Sequence, residues 1–286
     1  MHITGIDIGG SHITIGLVNS ENLSIISNRI IRKRIDSHAE AEIILTDWCN
    51  AIQECWRSNN IDHAPLAFAM PGPFDYVNGI CLIKGFGKYE MLYEVNIRQE
   101  LSKRLDVMPK DILFRNDAEA FLEGELQAGA AKSFKHSIGI TLGTGMGTAK
   151  SHDGFTNDAE MSFKVNIDGA TIEEFISTRG LLRSYFELTG LQLKDVKSLA
   201  NLYPHDLNAQ KAFSIFTQKL TYLLQQFISE EQPEIIVIGG NISNAWDLFM
   251  PAVIRQLSFL FPDLPVISKA QLGETAAIIG AAVLFQ

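Results

Sequence analysis

One short pattern occurs twice in this chain of 286 residues, and it constrains the fold more than any other feature. Residues 5–11 read Gly-Ile-Asp-Ile-Gly-Gly-Ser, and residues 139–145 read Gly-Ile-Thr-Leu-Gly-Thr-Gly. Each copy is an apolar strand that ends in a glycine turn. The separation is far longer than the roughly 20–50 residues of solenoid repeats, so a duplicated domain is the better explanation. The pattern therefore predicts two similar lobes with a cleft between them.

The residues around each copy predict the same kind of unit. In the first half we expect three antiparallel strands over residues 3–8, 12–19 and 23–32, followed by an amphipathic helix over 39–58. Strands over 66–70 and 112–114 and a helix from 117 onward complete the unit. A second unit is expected to begin at residue 136. Its predicted elements are strands over 137–142 and 147–150, a helical stripe over 213–227, a strand over 235–238 and an apolar helix over 274–285. The result is an α/β chain of duplicated βββαβα units.

Composition excludes several classes of function. The formal net charge of −9 argues against a nucleic-acid partner, because binding a phosphate backbone needs a basic face. Cys49, Cys55 and Cys81 form neither a disulfide framework nor a zinc tetrad. The sequence begins without the basic flank and apolar block of a signal peptide, and no apolar run reaches membrane-spanning length. We expect a cytoplasmic enzyme that acts on a small uncharged ligand.

Three glycine turns end apolar strands and are candidate phosphate sites. They are Gly9-Gly10, the run from Gly143 to Gly147, and Gly239-Gly240. Successive backbone N–H groups without intervening side chains can cradle phosphate oxygens, although a plain hairpin is the alternative for each turn alone. The chain has neither a P-loop motif nor a dinucleotide fingerprint, because the turns are expected to lead into strands. This difference favours the two-lobed ATPase fold shared by actin and hexokinase.

The turns and the loops between them resemble the ROK family of bacterial sugar kinases and related repressors over nearly the full length. The first phosphate motif of the family is similar to Asp7, Gly9, Gly10 and Ser11, with serine where threonine is usual and His12 where lysine is common. The second is similar to Gly143, Thr144, Gly145 and Gly147, and the adenosine-contacting turn is similar to Gly239 and Gly240. The resemblance implies ATP as the phosphoryl donor.

The family's sugar-contacting loops are similar to Pro71-Gly72 and Asn116-Asp117. The resemblance implies that Asp117 is the general base, and the chemistry agrees, because a carboxylate must lie within hydrogen-bond reach of the attacking hydroxyl. Simple capping of the following helix is the alternative interpretation of Asp117. Asp7 ends an apolar strand, where a carboxylate is unfavourable unless it is paired, and Mg²⁺ held through water would supply the partner. A turn-forming role is the alternative for Asp7.

Two glutamates near Glu160 and Glu173 contact sugar hydroxyls in the family, but the sequence around them departs from its pattern. Phe163 replaces a zinc-ligating histidine, and no cysteine follows Cys81. We therefore expect no zinc site. Glu173 is also open to interpretation as a solvated residue of the first turn of a helix.

The expected function is transfer of the ATP γ-phosphoryl group to a hexose or N-acetylhexosamine, at the 6-hydroxyl as in family glucokinases. Glucose, N-acetylglucosamine, N-acetylmannosamine and fructose stay open as acceptors. A catalytically inactive sugar-binding regulator is the alternative, while a DNA-binding repressor is disfavoured by the acidic charge. The resemblance also suggests a homodimer. The predicted lobes are residues 1–116 plus 274–286 and residues 117–273.

Overall fold

A computed structural model of the protein describes residues 1–26, 29–167 and 169–286. The chain forms two compact units. The first contains Met1–Lys132 together with Leu272–Gln286, and the second contains Ser133–Gln271. The helix that begins at Asp117 packs within the first unit, whereas the predicted lobe boundaries assigned it to the second.

The strands and helices follow one another in two similar series. The strands are β1 (His2–Ile8), β2 (His12–Asn19), β3 (Ile31–Arg34), β4 (Leu66–Met70), β5 (Phe74–Asp75), β6 (Ile80–Cys81), β7 (Ile112–Asn116), β8 (His136–Leu142), β9 (Met146–His152), β10 (Phe155–Asp158), β11 (Asn166–Ile167), β12 (Ala170–Thr171), β13 (Ile235–Gly239) and β14 (Val266–Lys269). The α-helices are α1 (Ala41–Ser58), α2 (Ile97–Leu105), α3 (Asp117–Ala128), α4 (Met161–Lys164), α5 (Glu173–Ile176), α6 (Thr178–Thr189), α7 (Val196–Leu202), α8 (Leu207–Glu231), α9 (Trp246–Leu260) and α10 (Ala276–Ala282). Short 3₁₀ helices cover Glu90–Leu92, Pro109–Asp111, Asn241–Ala245, Gly273–Thr275 and Val283–Phe285.

Each unit is built on a five-stranded mixed sheet, and the two sheets share one strand arrangement. The order in the first is β3-β2-β1-β4-β7, with β1, β2 and β3 antiparallel and β4 and β7 parallel to β1. The order in the second is β10-β9-β8-β13-β14, again with three antiparallel strands followed by two parallel ones. The repeat predicted from the glycine turns therefore corresponds to two sheets with the same topology.

The first sheet is buried on both faces. On one face, Ile6, Ile8 and Phe68 pack with α1, whose Trp48 and Cys55 are fully buried. On the other face, Ile3, Ala67 and Ala69 pack with α10. Alternation along β1 and β4 explains this division, since successive residues of a strand point to opposite faces.

Two glycines let α10 and α3 approach at backbone distance. A Cβ added at Gly280 would lie 1.8 Å from the carbonyl oxygen of Ala120, and one added at Gly124 would lie 2.0 Å from that of Ala276. No other residue fits either position without a shift of backbone. The contact fixes α3, which begins with Asp117, against the sheet.

Several predicted boundaries differ from the observed ones. The predicted strand over 23–32 is replaced by β3, with Ile25 forming an isolated bridge to Val18, and residues 27 and 28 of that prediction lie outside the described residues. The predicted helix over 274–285 is divided into a 3₁₀ turn, α10 and a second 3₁₀ turn. The third glycine turn leads into the 3₁₀ helix Asn241–Ala245 and not into a strand. Within the described part of the chain, no helix is both long enough and apolar enough to cross a bilayer.

Candidate active site

Three parallel strands of the first unit deliver the predicted catalytic residues to one edge of its sheet. Asp7 lies near the end of β1, opposite Ala69 of β4, and Ala69 in turn lies opposite Arg115 of β7. Asn116 ends β7, and Asp117 begins α3. Because the carboxyl ends of parallel strands meet at the same edge, Asp7 and Asp117 face one region.

Asn116, and not Asp117, caps α3. Its Oδ1 accepts hydrogen bonds from the N–H groups of Ala118 (2.9 Å) and Glu119 (3.1 Å). Its Nδ2 donates to the Tyr76 hydroxyl at 3.2 Å. Asp117 is the first residue of the helix, and its Oδ1 also accepts from the N–H of Ala118, at 2.9 Å. The alternative in which Asp117 is merely the capping residue is therefore wrong.

Gly72 lies beside this cap. A Cβ at Gly72 would be 3.3 Å from the Tyr76 hydroxyl and 3.9 Å from Asn116 Nδ2. Tyr76 also donates to the carbonyl oxygen of Met70 at 3.1 Å, and Pro71, which follows Met70, is buried. The structure thus brings Pro71, Gly72, Asn116 and Asp117 together at the end of β4 and β7.

The two carboxylates are held in an environment that disfavours their charge. Burial, and next the charge of Asp117, raises the pKa of Asp7 from 3.8 to about 7, although Arg32 acts in the opposite direction. Burial also raises the pKa of Asp117, and the positive charge of Lys88 opposes that change. A buried carboxylate with a like charge nearby is the environment that a divalent cation would stabilise, so Asp7 fits a role in holding Mg²⁺.

Two side-chain hydroxyls donate hydrogen bonds to carbonyl oxygens of the first glycine turn. The Tyr89 hydroxyl donates to the carbonyl oxygen of Gly9 at 2.6 Å, and the Ser37 hydroxyl donates to that of Gly10 at 2.8 Å. In a planar trans peptide the N–H points opposite to the C=O. The N–H groups of Gly10 and Ser11 are therefore turned away from Tyr89 and Ser37, as a phosphate cradle requires. The Ser11 hydroxyl lies 2.9 Å from His12 Nδ1.

In the second unit, the second and third glycine turns lie side by side. Gly143 donates its N–H to the carbonyl oxygen of Gly145 at 3.0 Å, and Gly147 donates to the Thr141 hydroxyl at 3.1 Å. Gly240 has φ +84°, and a Cβ there would lie 2.3 Å from the carbonyl oxygen of Leu142. Thr144 is exposed at the tip of the turn, and Gly239 ends β13. The close approach requires glycine at position 240.

Glu173 and Glu160 occupy different environments within the second unit. Glu173 Oε2 accepts a hydrogen bond from the N–H of Met146 at 3.4 Å, and its carboxylate would lie 3.4–3.5 Å from a Cβ at Gly145. Glu173 therefore lies at the second glycine turn. Glu160 precedes α4 and is exposed, with Lys164 Nζ 3.6 Å from its carboxylate.

Phe163, where the family pattern has a zinc-ligating histidine, is 60% exposed. Among the described residues, no group of three or more His, Cys, Asp and Glu side chains is arranged to hold a metal ion.

Comparison with known proteins establishes the family. The sequence pattern that defines the ROK family matches residues 3–155 and 168–286. The chain belongs to the ROK family, as its motifs predict.

Two curated relatives and one solved structure are similar to the chain over nearly their whole length. The chain is 24% identical over 321 residues to a glucokinase of Thermotoga maritima, covering all of this chain and 98% of that protein. It is 23% identical to an N-acetyl-D-glucosamine kinase of Histophilus somni, covering 98% of each. The crystal structure of a ROK family glucokinase from Streptomyces griseus in complex with glucose and AMPPNP has a TM-score of 0.81 at 21% identity, with 99% of each chain covered. The predicted hexokinase-like α/β fold is confirmed.

Proposed function

We propose that the protein is an ATP-dependent sugar kinase whose acceptor is a hexose or an N-acetylhexosamine, phosphorylated at the 6-hydroxyl. The observation that carries the proposal is the meeting of Asp117, Asp7 and the first glycine turn at one edge of the sheet of the first unit. The relatives named as glucokinase and N-acetyl-D-glucosamine kinase support the substrate class.

In the proposed reaction, Asp117 accepts the proton of the acceptor hydroxyl. The hydroxyl oxygen forms a bond to the γ-phosphorus, the bond from that phosphorus to the β–γ bridging oxygen breaks, and ADP leaves. Burial raises the pKa of Asp117 above that of an ordinary carboxyl group, which makes its carboxylate a stronger base. The N-terminus of α3 favours the ionised form.

Asp7 would hold Mg²⁺ through water, and the cation would supply charge neutralisation for the phosphates. Gly9, Gly10 and Ser11 are proposed to bind phosphate oxygens through backbone N–H groups. In the second unit we assign the same role to the turn that contains Gly143, Thr144, Gly145 and Gly147, and contacts with adenosine to the turn that contains Gly239 and Gly240.

The sugar is proposed to contact Pro71, Gly72, Asn116 and Asp117 in the first unit and Glu160 and Glu173 in the second. Asn116 and Glu173 already make hydrogen bonds within the protein, so a contact with the sugar must either use their other polar atoms or replace those bonds. Asn116 Oδ1 already holds the first turn of α3, and Glu173 already accepts from Met146. A cytoplasmic location, a homodimer and the lack of zinc stay predictions from the sequence.

The experiment that tests the proposal is a coupled assay of ADP release with Mg-ATP and a panel of hexoses and N-acetylhexosamines, run on the native protein and on Asp117→Ala. We expect one sugar to support turnover and the substitution to lower kcat by about 10²–10⁴-fold, the usual contribution of a positioned general base. Asp111→Ala is the matched control, since Asp111 immediately precedes the opposite end of β7. Sugar binding without turnover for any acceptor would instead support the regulator.

A further inference from the structure

The segment between β6 and α2 contains a loop that the sequence motifs leave unassigned, and its shape is well defined. The Glu90 carboxylate accepts backbone hydrogen bonds from Gly85 (2.9 Å), Phe86 (2.8 Å) and Gly87 (3.0 Å). Gly85 and Gly87 have φ of +80° and +65°, which favours glycine at both positions. Charge-assisted bonds of this kind are about twice as strong as neutral ones, so they hold the backbone that precedes Lys88 in one conformation.

The residue after Lys88 ties the loop to the first glycine turn. Tyr89 is fully buried, its hydroxyl donates to Gly9, and its backbone N–H donates to the carbonyl oxygen of Ser37 at 2.7 Å. Ser37 in turn donates to Gly10. The backbone at position 88 is therefore fixed next to the turn that is proposed to bind phosphate.

The side chain of Lys88 lies beside that turn, and its charge reaches the proposed base. Its Cδ is 3.9 Å from the position of a Cβ at Gly10, and it is half-buried. Its positive charge also lowers the pKa of Asp117 relative to burial alone. Within residues 1–26, 29–167 and 169–286, Lys88 Nζ has no ion-pair partner, so the structure does not explain Lys88 as half of a salt bridge.

Other basic groups near this edge are less suited to bind an anion. Arg32 forms a salt bridge with Glu274. Burial, and next the charges of Arg32 and Arg34, lowers the pKa of His12, which favours a neutral ring. Lys88 is therefore a cation beside the first glycine turn whose charge also acts on Asp117, and it has no ion pair within 4.0 Å among the described residues.

We propose that Lys88 is a further catalytic residue, whose ammonium group contacts the γ-phosphoryl group as it is transferred to the acceptor. This proposal rests on the proposed kinase function. Negative charge is spread over the equatorial oxygens of the phosphoryl group during transfer, and a fixed cation aimed at those oxygens stabilises that state more than the ground state. Lys88 donates hydrogen bonds only, so no proton changes place at this residue, and Asp117 still receives the proton of the acceptor.

The kinetic test compares Lys88→Gln, Lys88→Arg and the matched control Lys84→Gln with the native enzyme, using the acceptor found in the panel. Lys84 belongs to the same loop, but its Nζ lies 4.6 Å from the centroid of the Tyr93 ring. We expect Lys88→Gln to lower kcat by about 10²-fold while the KM for the sugar changes less than about threefold. Lys88→Arg should recover most of the loss, and Lys84→Gln should stay within about twofold. An equal loss in Lys84→Gln would assign the effect to the loop, and native kcat in Lys88→Gln would overturn the proposal.

A binding measurement keeps the proposal separate from the choice of sugar. Isothermal titration calorimetry without sugar gives the Kd of Mg-ATP and of Mg-ADP, which differ by the γ-phosphoryl group. We expect Lys88→Gln to weaken ATP binding by about tenfold and to leave ADP binding within about twofold of native, whereas Lys84→Gln alters neither. An equal effect on both nucleotides would overturn a contact with the γ-phosphoryl group. If no sugar is phosphorylated but this selectivity appears, the kinase proposal fails and the Lys88 contact stands.

Discussion

Tyr89→Phe removes a single hydroxyl group, and we expect it to weaken ATP binding as well as stability. The hydroxyl donates to the Gly9 carbonyl at 2.6 Å, and the Tyr89 side chain is fully buried. Leaving a buried acceptor without its donor costs about 1–3 kcal/mol. At about 2–4 °C per kcal/mol for chains of this size class, Tm should fall by about 2–12 °C.

The effect on function follows from the direction of the peptide between Gly9 and Gly10. Once the carbonyl is released, the peptide can turn it toward the phosphates, where an oxygen repels an anion. A loss of about 1 kcal/mol at the turn corresponds to about a fivefold increase in the KM for ATP. Ser37→Ala releases the next peptide, so the two substitutions should not be additive, as expected of neighbours that fix one turn.

The assays are thermal unfolding and steady-state kinetics with varied ATP, on the two single variants, the double variant and the control Tyr185→Phe. The Tyr185 hydroxyl donates to Asp206 Oδ2 at 2.7 Å in the second unit, so the control loses a comparable bond away from the first turn. It should lower Tm and leave the KM for ATP unchanged. If Tyr89→Phe behaves like this control, the hydroxyl has only a structural role and the reasoning about the turn is refuted.

Two further substitutions probe the same unit. Gly280→Ala places a methyl group 1.8 Å from the Ala120 carbonyl oxygen, so we expect the free energy of unfolding in urea to fall by about 3 kcal/mol. The control Gly273→Ala should lower it by about 1 kcal/mol, because only the left-handed backbone opposes a side chain there. Equal losses in the two variants would contradict the close-packing argument. For Asp7, a folded-state pKa of about 7 against an ordinary 3.8 means that the folded protein retains a proton which the unfolded chain releases between those pH values. Stability therefore falls as pH rises from about 4 to about 7, and Asp7→Asn should stabilise the metal-free protein at pH 8 by up to about 4 kcal/mol and much less at pH 4.5. Urea unfolding at both pH values measures this difference, and a gain of the same size at both would contradict it.

The parts of the fold that the sequence predicted well are those whose signal is local. Alternating apolar residues and glycine turns predicted β1, β2, β4 and β8 to within one residue at each end. The start of α1 was placed two residues early, as is usual for helix ends. Strands β5 and β6 are two residues long, too short for any periodic signal.

The candidate site likewise contains some residues that the sequence predicted and others that it did not. Asp7 and Asp117 were predicted as site residues from the resemblance of their motifs to the ROK family, and the structure brings them to one edge because β1, β4 and β7 are parallel. Lys88, Tyr89 and Ser37 were missed, because their contacts with the first turn span 27 residues for Ser37 and 80 for Tyr89. A loop whose conformation depends on one carboxylate and three backbone N–H groups carries no periodicity from which to predict it.

Glu173 illustrates a different limit. Its position at the start of α5 was consistent with either a sugar contact or a solvated first-turn residue, and spacing did not favour one. The structure brings the carboxylate to the second glycine turn of the same unit, against Gly145 and Met146. A carboxylate there opposes the binding of phosphate at that turn. Phosphate binding at the second glycine turn therefore competes with the present position of the Glu173 carboxylate. This competition arises from a tertiary contact, so the local sequence around Glu173 did not predict it.

The order of Asn116 and Asp117 explains how one helix start can serve both the fold and the chemistry. An N-terminal carboxylate would ordinarily be used as the cap, and its oxygens would then be occupied by backbone N–H groups. Here the neutral Asn116 takes that task with two hydrogen bonds, from the N–H groups of Ala118 and Glu119, while Asp117 is the first residue of the helix and accepts from the N–H of Ala118. Burial raises the pKa of Asp117, while Lys88 and the helix terminus oppose that change. The result is a carboxylate more basic than an exposed one, on a helix whose position is fixed by backbone contact with α10, and both properties suit the general base proposed above.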